Sequence, residues 1–495
     1  MLNLFRFIYY NILFVYKNIR SNIFVNRNDL CDRSKFVLIV SPWHFSATPF
    51  YFLKLGAFLN SRKNKVTYIF DDIEYDLSYK INCFILKISL NLLRVNYYKL
   101  TDFPESTSSI LDDYSGIFND IVYENLVATF RGEVHNERTE IFRLNYLKKL
   151  SENYLKVIFL FEEYNDYSFV IPGGSLGTSG LLVRIADKFN VNYSTIDSGF
   201  QFISICNCGI ASKNQFISDK SMSLLFAKSQ NDFNLCLTEA KDLLENRKNP
   251  KYVFQFQATA SIGKYEITES YFVLFLNIVW DGAAFVKDFR GFNYLNSIKS
   301  FVEYFLVNSI DKLVIRQHPD ERKWWGKSNF VLNEFFSDFD SKYPNRLVFL
   351  TSIQEVNSYD LISSSKGVFV WSSTIGLESI MMKKQTMFLS INYVYNCPEL
   401  KKFVFTQEEQ LSRFLTNCDD FAITDNDLLF ASNLFLITQK YSWFPTIFTP
   451  QTVDFLKWVT LDDTVLTEDY IVIKCLESLE VKNSLTDYYL ENNII

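Results

Sequence analysis

The sequence predicts an α/β protein of two tandem doubly wound domains, from three observations. Its apolar runs lack the alternation of half-buried strands, helix-length stretches separate them, and 495 residues are enough to build two sizeable cores. In order, "KFVLIVS" (35–41) is a buried strand, "PWHFSATP" a loop, "FYFLKLGAFLNSR" a helix, and "KVTYIFDD" (65–72) a second strand ending in two acids. "YSFVIPGGSLGTSG" (167–180) supplies a strand and a glycine-rich turn, "LLVRIADKFN" a helix and "VNYSTIDSG" another strand. A second series opens with "YFVLFLNIVWDGA" (271–283), a strand with its exit loop, followed by the helix "YLNSIKSFVEYFLVNS". "KLVIRQHP" is a strand whose extension Pro319 discourages. "RLVFLTS", "GVFVWSS" and "TMFLSIN" are strands, with "SYDLIS" and "STIGLESIMMKK" as helical connections. The expected boundaries are a helix over 1–28, a first domain over 29–260, a second over 261–425, and a mostly helical extension over 426–495 whose domain the pattern leaves unassigned.

Composition narrows the function classes. Hydrophobic residues at 48% and charged residues at 21% are the balance of a globular chain and exclude a disordered one. A net charge of −6 argues against a general nucleic-acid binder, which carries a basic excess to neutralise phosphates. Of eight cysteines only Cys206 and Cys208 lie close together, and no second pair or His follows at zinc spacing. A reducing, cytoplasmic compartment and no metal or other cofactor are therefore expected.

The stretch "MLNLFRFIYYNILFVYKNIRSNIFV" (1–25) needs its own account. Its longest uncharged run, Phe7 to Tyr16, is about half of a membrane span, and no small-residue cleavage site follows. Arg6, Lys17, Arg20 and Arg27 are basic, and no acid appears before Asp29. Two readings fit: an amphipathic helix lying on the cytoplasmic face of the inner membrane, or a helix packing its apolar side on the body of the protein. The apolar residues are too many for one narrow stripe.

Ligands of open parallel sheets sit beyond the carboxyl ends of the strands, which puts Arg316, His318, Ser372, Ser373 and Thr374 on the ligand side of the second domain. Ser373 or Thr374 can cap the helix that continues through Leu377, leaving N–H groups and a positive dipole end for an anion. Glu378 does not fit the spacing of a capping box and is available to a ribose diol, while Gly376 leaves room for a ligand or a neighbouring element. His318 can donate to a phosphate oxygen and protonate it as it leaves; its plain alternative is a strand-end histidine satisfied by a carbonyl. "GGSLGTSG" lacks the G-x-G-x-x-G order, so Gly173 and Gly174 read as a tight strand-to-helix turn bordering a cleft. Trp280, Trp324, Trp325 and Trp371 can stack on sugar or base, but in a chain with 17% aromatic residues packing accounts for most such rings.

Taken together, "LFLNIVWDGAAF" (274–285), "LVIRQHPDE" (313–321) and "EVNSYDLISSSKGVFVWSSTIGLESIMMKKQT" (355–386) resemble the carboxyl-terminal half of bacterial capsule-polysaccharide biosynthesis glycosyltransferases of the GT-B fold. The R-x-H-P, N-S-Y-x-L-I and S-S-T-x-G-x-E elements stand in the family's order. The amino-terminal half is similar only in its βα layout and in "IPGGSLGTSGLLVRIADKFNVNYSTIDSG" (171–199). The resemblance implies two Rossmann-like domains with a cleft between them and the donor nucleotide on the second. It also implies an acceptor oligosaccharide or lipid-linked glycan in the cleft, and a metal-independent transfer to a capsule, O-antigen or other surface polysaccharide. Some relatives use CMP-linked acidic sugars such as Kdo or sialic acid; carried over, the phosphate ligands are His318, Ser372, Ser373 and Thr374. Arg316 would then face a phosphate or a sugar carboxylate.

An inverting transfer also needs a base within reach of the acceptor hydroxyl. Asp281, in a loop with Asn277, matches the family pattern N-x-x-W-D and ranks as a site residue. His44 follows the first strand and is a second catalytic candidate; Asp71 and Asp72 end the second strand and equally serve as helix caps or solvated acids. His135 reads as a surface residue. Two other readings stay open: a CDP-glycerol-type glycerophosphotransferase, and a non-catalytic polysaccharide-assembly protein that keeps the nucleotide site.

Overall fold

Each of the two sheets reverses its strand order beside the first strand to enter it. The protein's structure, a computed structural model, describes residues 2–19, 33–43, 46–107, 114–133, 136–199, 201–215, 217, 219–231, 233–249, 267, 269–322, 327–449 and 455–493. The chain begins with α1 (Leu2–Asn18), β1 (Lys35–Val40), α2 (Thr48–Ser61), β2 (Lys65–Phe70), α3 (Leu77–Leu92) and β3 (Tyr97–Lys99). There follow α4 (Ser115–Phe130), α5 (Glu137–Glu163), β4 (Ser168–Pro172), α6 (Gly177–Phe189), β5 (Tyr193–Gly199) and β6 (Phe202–Asn207). Next come α7 (Asp219–Asn231), α8 (Phe233–Lys248), β7 (Tyr271–Phe275), α9 (Tyr294–Asn308), β8 (Lys312–Arg316), α10 (Leu332–Phe335), α11 (Ser337–Lys342) and β9 (Leu347–Leu350). The sequence continues through α12 (Ser358–Ser364), β10 (Val368–Val370), α13 (Ile375–Met381), β11 (Thr386–Phe388), α14 (Glu408–Thr416) and α15 (Asp425–Lys440). Last are β12 (Phe444–Pro445), α16 (Phe455–Thr460), α17 (Asp463–Thr467), α18 (Tyr470–Glu480) and α19 (Leu485–Asn493).

These elements make two doubly wound α/β domains. One compact unit comprises Met1–Asn125, Glu137–Phe216 and Tyr441–Asn492, the other Leu126–Asn136, Ile217–Lys440 and Asn493–Ile495. In the first, the order is β12-β6-β5-β4-β1-β2-β3; β1 through β5 run parallel, and β6 and β12 add antiparallel. Phe36, Val37, Leu38, Ile39 and Val40 are all buried. Helices on both faces of the sheet explain why β1 shows no alternation. Two short strands, β3 and β12, carry no sequence signal of that kind, and the six-residue β6 is not expected from the pattern. β3 spans three residues at an edge, and β12 is an edge pair containing Pro445, which an edge tolerates.

The segment 441–492 completes the first unit. Phe455 packs on Phe50 with ring centroids 5.3 Å apart and on Tyr10 at 4.1 Å. Glu480 accepts from both Arg62 Nε and Arg62 Nη2 at 2.9 Å and from Asn64 Nδ2 at 2.8 Å. Helix α1 lies on the same body: Phe7 and Phe14 are fully buried against Phe50, and Phe14 also stacks on Trp458. The second of the two sequence readings of this helix, packing on the protein, therefore holds for its inner face. Among the described residues no helix is long and apolar enough to cross a membrane.

The second sheet has the order β11-β10-β7-β8-β9 and is parallel throughout. Phe272 from β7 and Phe369 from β10 meet Phe305 from α9 and Phe414 from α14, an aromatic core beneath the strand ends.

Candidate functional site

Register decides which residues leave the second sheet together. Phe388, Val370, Phe275, Arg316 and Leu350 form one row across it, so the chain exits β10, β7, β8 and β9 at the same level. Strand order reverses between β7 and β10, because the chain builds outward through β8 and β9 and then crosses back. Two exits at that reversal are tied together. Asn277 Nδ2 donates to Ser372 Oγ at 3.1 Å, and the Ser372 N–H donates to Asn277 Oδ1 at 3.4 Å. Both side chains are buried, and Ser372 Oγ also donates to the Ala283 carbonyl. The loop that carries Asp281 is thereby held beside the exit of β10. Asp281 itself is exposed, at the cap position of the short helical turn Gly282–Ala284, where its side chain caps no amide.

At the exit of β8, Arg316 is almost wholly buried. Its guanidinium donates to the carbonyls of Thr351 at 2.5 Å, Gln354 at 3.2 Å and Val356 at 3.4 Å, anchoring the loop between β9 and α12. Among the described residues Arg316 Nε has no hydrogen-bond partner. Burial, and secondarily Arg322, lowers this guanidinium to about 10, so it stays charged at neutral pH. His318 is half-buried, and its Nδ1 accepts the Asp320 N–H at 3.2 Å. An accepting Nδ1 places the ring proton of the neutral imidazole on Nε2.

Three residues after His318, with its N–H donating to the His318 carbonyl at 3.1 Å, comes an acid that the sequence reasoning did not single out. Glu321 is buried, accepts from Gln317 Nε2 at 2.8 Å, and is pushed up to about 7 by burial, against the hydrogen bond from Gln317. Gln317 Oε1 in turn accepts the Ser352 N–H at 3.0 Å. The signal was present in "HPDE", one turn after the strand.

The exit of β10 differs in detail from its expected form. Thr374 occupies the cap position of α13 but its side chain caps no amide; its hydroxyl faces Glu378 Oε1 at 3.4 Å instead. Ser373 and Thr374 remain half-exposed beside this exit. Glu378 is buried and accepts from Tyr359 Oη at 2.8 Å, while Arg247 Nη2 lies 2.9 Å from its Oε1. The carboxylate expected to face a ribose diol thus sits between a tyrosine of α12 and an arginine of α8. Tyr359 belongs to the "NSYDLI" stretch; nothing local marks Arg247. At Gly376 an added Cβ would stand 2.4 Å from Phe388 Cζ and 2.7 Å from Val370 Cγ2, so the neighbour it admits closely is β11. Trp371 is core: it is fully buried and donates Nε1–H to the Ala284 carbonyl at 3.2 Å. Trp280 is half-buried, with Arg131 5.1 Å from its ring centroid.

The first unit repeats the topology, with its reversal between β1 and β4. After β4, Gly173 and Gly174 adopt φ of +65° and +92°, and an added Cβ on Gly173 would stand 2.2 Å from Trp43 Cη2. Glycine is required there by both conformation and space. Asp71, at the end of β2, is buried and accepts from Tyr79 Oη at 2.7 Å, Thr178 Oγ1 at 2.8 Å and Ser41 Oγ at 3.2 Å. Asp72 instead accepts the Thr101 N–H and hydroxyl at 2.9 and 2.6 Å. His44, His135, Trp324 and Trp325 lie outside the described residues. Among the described residues no three His, Cys, Asp or Glu side chains converge as metal ligands would.

No protein-family model matches the chain, and no curated protein sequence matches it. Solved structures do. The KpsC beta Kdo 2,7 transferase of Thermosulfurimonas dismutans is 16% identical over 55% of this chain and 75% of its own, with a TM-score of 0.29. The KpsC beta Kdo 2,4 transferase of the same organism is 10% identical over 54% and 78%, with a TM-score of 0.31. The UDP-GlcNAc 2-epimerase of Neisseria meningitidis bound to UDP-GlcNAc is 8% identical over 82% and 99%, with a TM-score of 0.23.

Proposed function

We propose that the protein is a nucleotide-sugar-using enzyme, and more finely a glycosyltransferase that extends a capsule, O-antigen or other surface polysaccharide. The observation that carries the reading is the convergence of four separate segments beside the strand-order reversal of the second sheet. Asn277 is bonded to Ser372, Arg316 to the loop leading into "NSYDLI", and Tyr359 to Glu378, with His318 at the neighbouring strand exit. Doubly wound sheets bind their ligands at such a reversal.

In the proposed reaction the bond between the donor's anomeric carbon and its phosphate oxygen breaks, and the acceptor hydroxyl oxygen bonds to that carbon. The acceptor proton passes to a base, and the nucleotide leaves with its phosphate. His318 donates its Nε2 proton toward the departing phosphate oxygen, joined by the hydroxyls of Ser373 and Thr374. Asp281 is offered as base, on its exposed carboxylate in the loop tied to Ser372. The donor proposed first is a CMP-linked acidic sugar, on the resemblance of the His-Pro and Ser-Ser-Thr motifs.

A thermal-shift panel of CMP, CDP, UDP, GDP and ADP on wild type and His318→Ala tests the reading. A nucleotide at about a hundred times its dissociation constant stabilises by roughly 2.7 kcal/mol. One nucleotide raising the wild-type transition but not the variant's is the expected result, followed by glycosyl transfer from the matching nucleotide sugar. CDP as the binder directs the assay to glycerophosphate transfer. No binding by any nucleotide, with the variant indistinguishable from wild type, overturns the proposal.

A further inference from the structure

We infer that helices α1 and α3 of the first unit form a composite face that docks on an anionic lipid surface. The inner side of α1 is already used, since Phe7 and Phe14 are buried in the unit. Its outer side is apolar as well: Phe5, Tyr9, Ile12 and Tyr16 recur at steps of four, three and four and are between 48% and 82% exposed. That spacing places them along one stripe of a helix. Helix α3 lies alongside, with Ser89 Oγ donating to Asn11 Oδ1 at 2.7 Å, and it exposes Phe84 and Ile88 one turn apart. A helix that is apolar on two sides buries one of them against its own protein and leaves the other needing a partner.

Charge identifies the partner. Neither α1 nor α3 contains an acidic residue, although the whole chain has a net charge of −6. Lys80 pairs with Glu74, and Lys17 has Asp462 nearby. Arg6, Lys87 and Arg94 are exposed, and among the described residues they form no ion pair. Lys87 is adjacent in sequence to Ile88, and Arg6 to Phe5. Apolar side chains set among unpaired cations fit a bilayer interface, where rings and aliphatic chains enter the acyl boundary and the cations meet anionic headgroups. The inference uses only the first unit and is independent of the nucleotide reading.

The test is flotation of the full-length protein with phosphatidylcholine vesicles, with and without phosphatidylglycerol, alongside sedimentation velocity without lipid. Wild type is expected to float with the anionic vesicles, and to do so less as salt rises. The double variant Tyr9→Ser/Ile12→Ser should keep the wild-type thermal transition and partition at least about tenfold less, given the apolar area withdrawn from the interface. Should that variant fold poorly, Arg6→Gln/Lys87→Gln, which leaves all apolar packing in place, should show the same loss on anionic vesicles. Absence of wild-type flotation, flotation indifferent to phosphatidylglycerol, or both variants floating like wild type would overturn the inference. So would a wild-type dimer that dissociates in the Tyr9→Ser/Ile12→Ser variant, because the stripe would then be covered by a second copy of the chain.

Discussion

Asp71 shows how burial and hydrogen bonding set the chemistry of a single carboxyl. Burial raises it from an ordinary value of 3.8 to about 6, against the hydroxyls of Tyr79 and Thr178 and the Ile73 amide, which favour the ionised form. The folded chain therefore holds more protons than the unfolded one between those two values, and stability is lost as pH rises through that window. Glu321 acts with the same sign over a window that reaches about 7. Asp71→Asn should flatten that part of the first unit's stability-against-pH curve and leave the second unit's unchanged, as read from the urea midpoint of each unit at a series of pH values. A curve of unchanged shape would show that Asp71 does not titrate there. The sequence displayed the acids at the end of β2 but not that Asp71 would be enclosed while Asp72 tied down Thr101. That difference depends on which face of the strand end each side chain takes and on α3 and α6 closing over one of them.

At the scale of the element, α13 combines a legible start with an unexpected anchor. Its position after a buried strand, and the three hydroxyl residues before it, followed from the pattern. Its carboxylate's partners did not: Arg247 comes from α8 and Tyr359 from α12, and helical or strand periodicity cannot report a contact so distant in sequence. Gly376 was expected to admit either a ligand or a neighbouring element, and its Cβ position is filled by Phe388 and Val370. Gly376→Ala should therefore cost about 1–3 kcal/mol through overpacking, seen as a lower transition temperature. Wild-type stability in that variant would mean that the Phe388 ring moves aside freely. Arg316 makes the same point from β8: the strand end was readable, but the loop carbonyls that occupy most of its guanidinium were not.

At the scale of the whole molecule, the chain returns to its first sheet after building the second. β12 pairs antiparallel with β6 through Phe444↔Ile203, Phe455 packs on Phe50, and Glu480 holds Arg62 and Asn64. A chain truncated after Lys440 exposes that apolar surface and removes the carboxylate of a partly buried ion pair. It should lose the cooperative transition of the first unit while the second retains its own, measured by calorimetry and by limited proteolysis. Two intact transitions would show that the segment is dispensable.

The sequence by itself determined the two series of parallel strands, the helices between them, and the strand ends at which polar residues cluster. Unalternating apolar runs, glycine turns and hydroxyl-bearing helix starts are local properties, written within a few residues of one another. Only the tertiary structure decided that segment 441–492 belongs with the first sheet, that Glu378 sits between Arg247 and Tyr359, that Glu321 is buried, and which side of α1 is packed and which exposed. Each of these depends on which distant surfaces meet, and burial, proton affinity and exposure are set by that meeting.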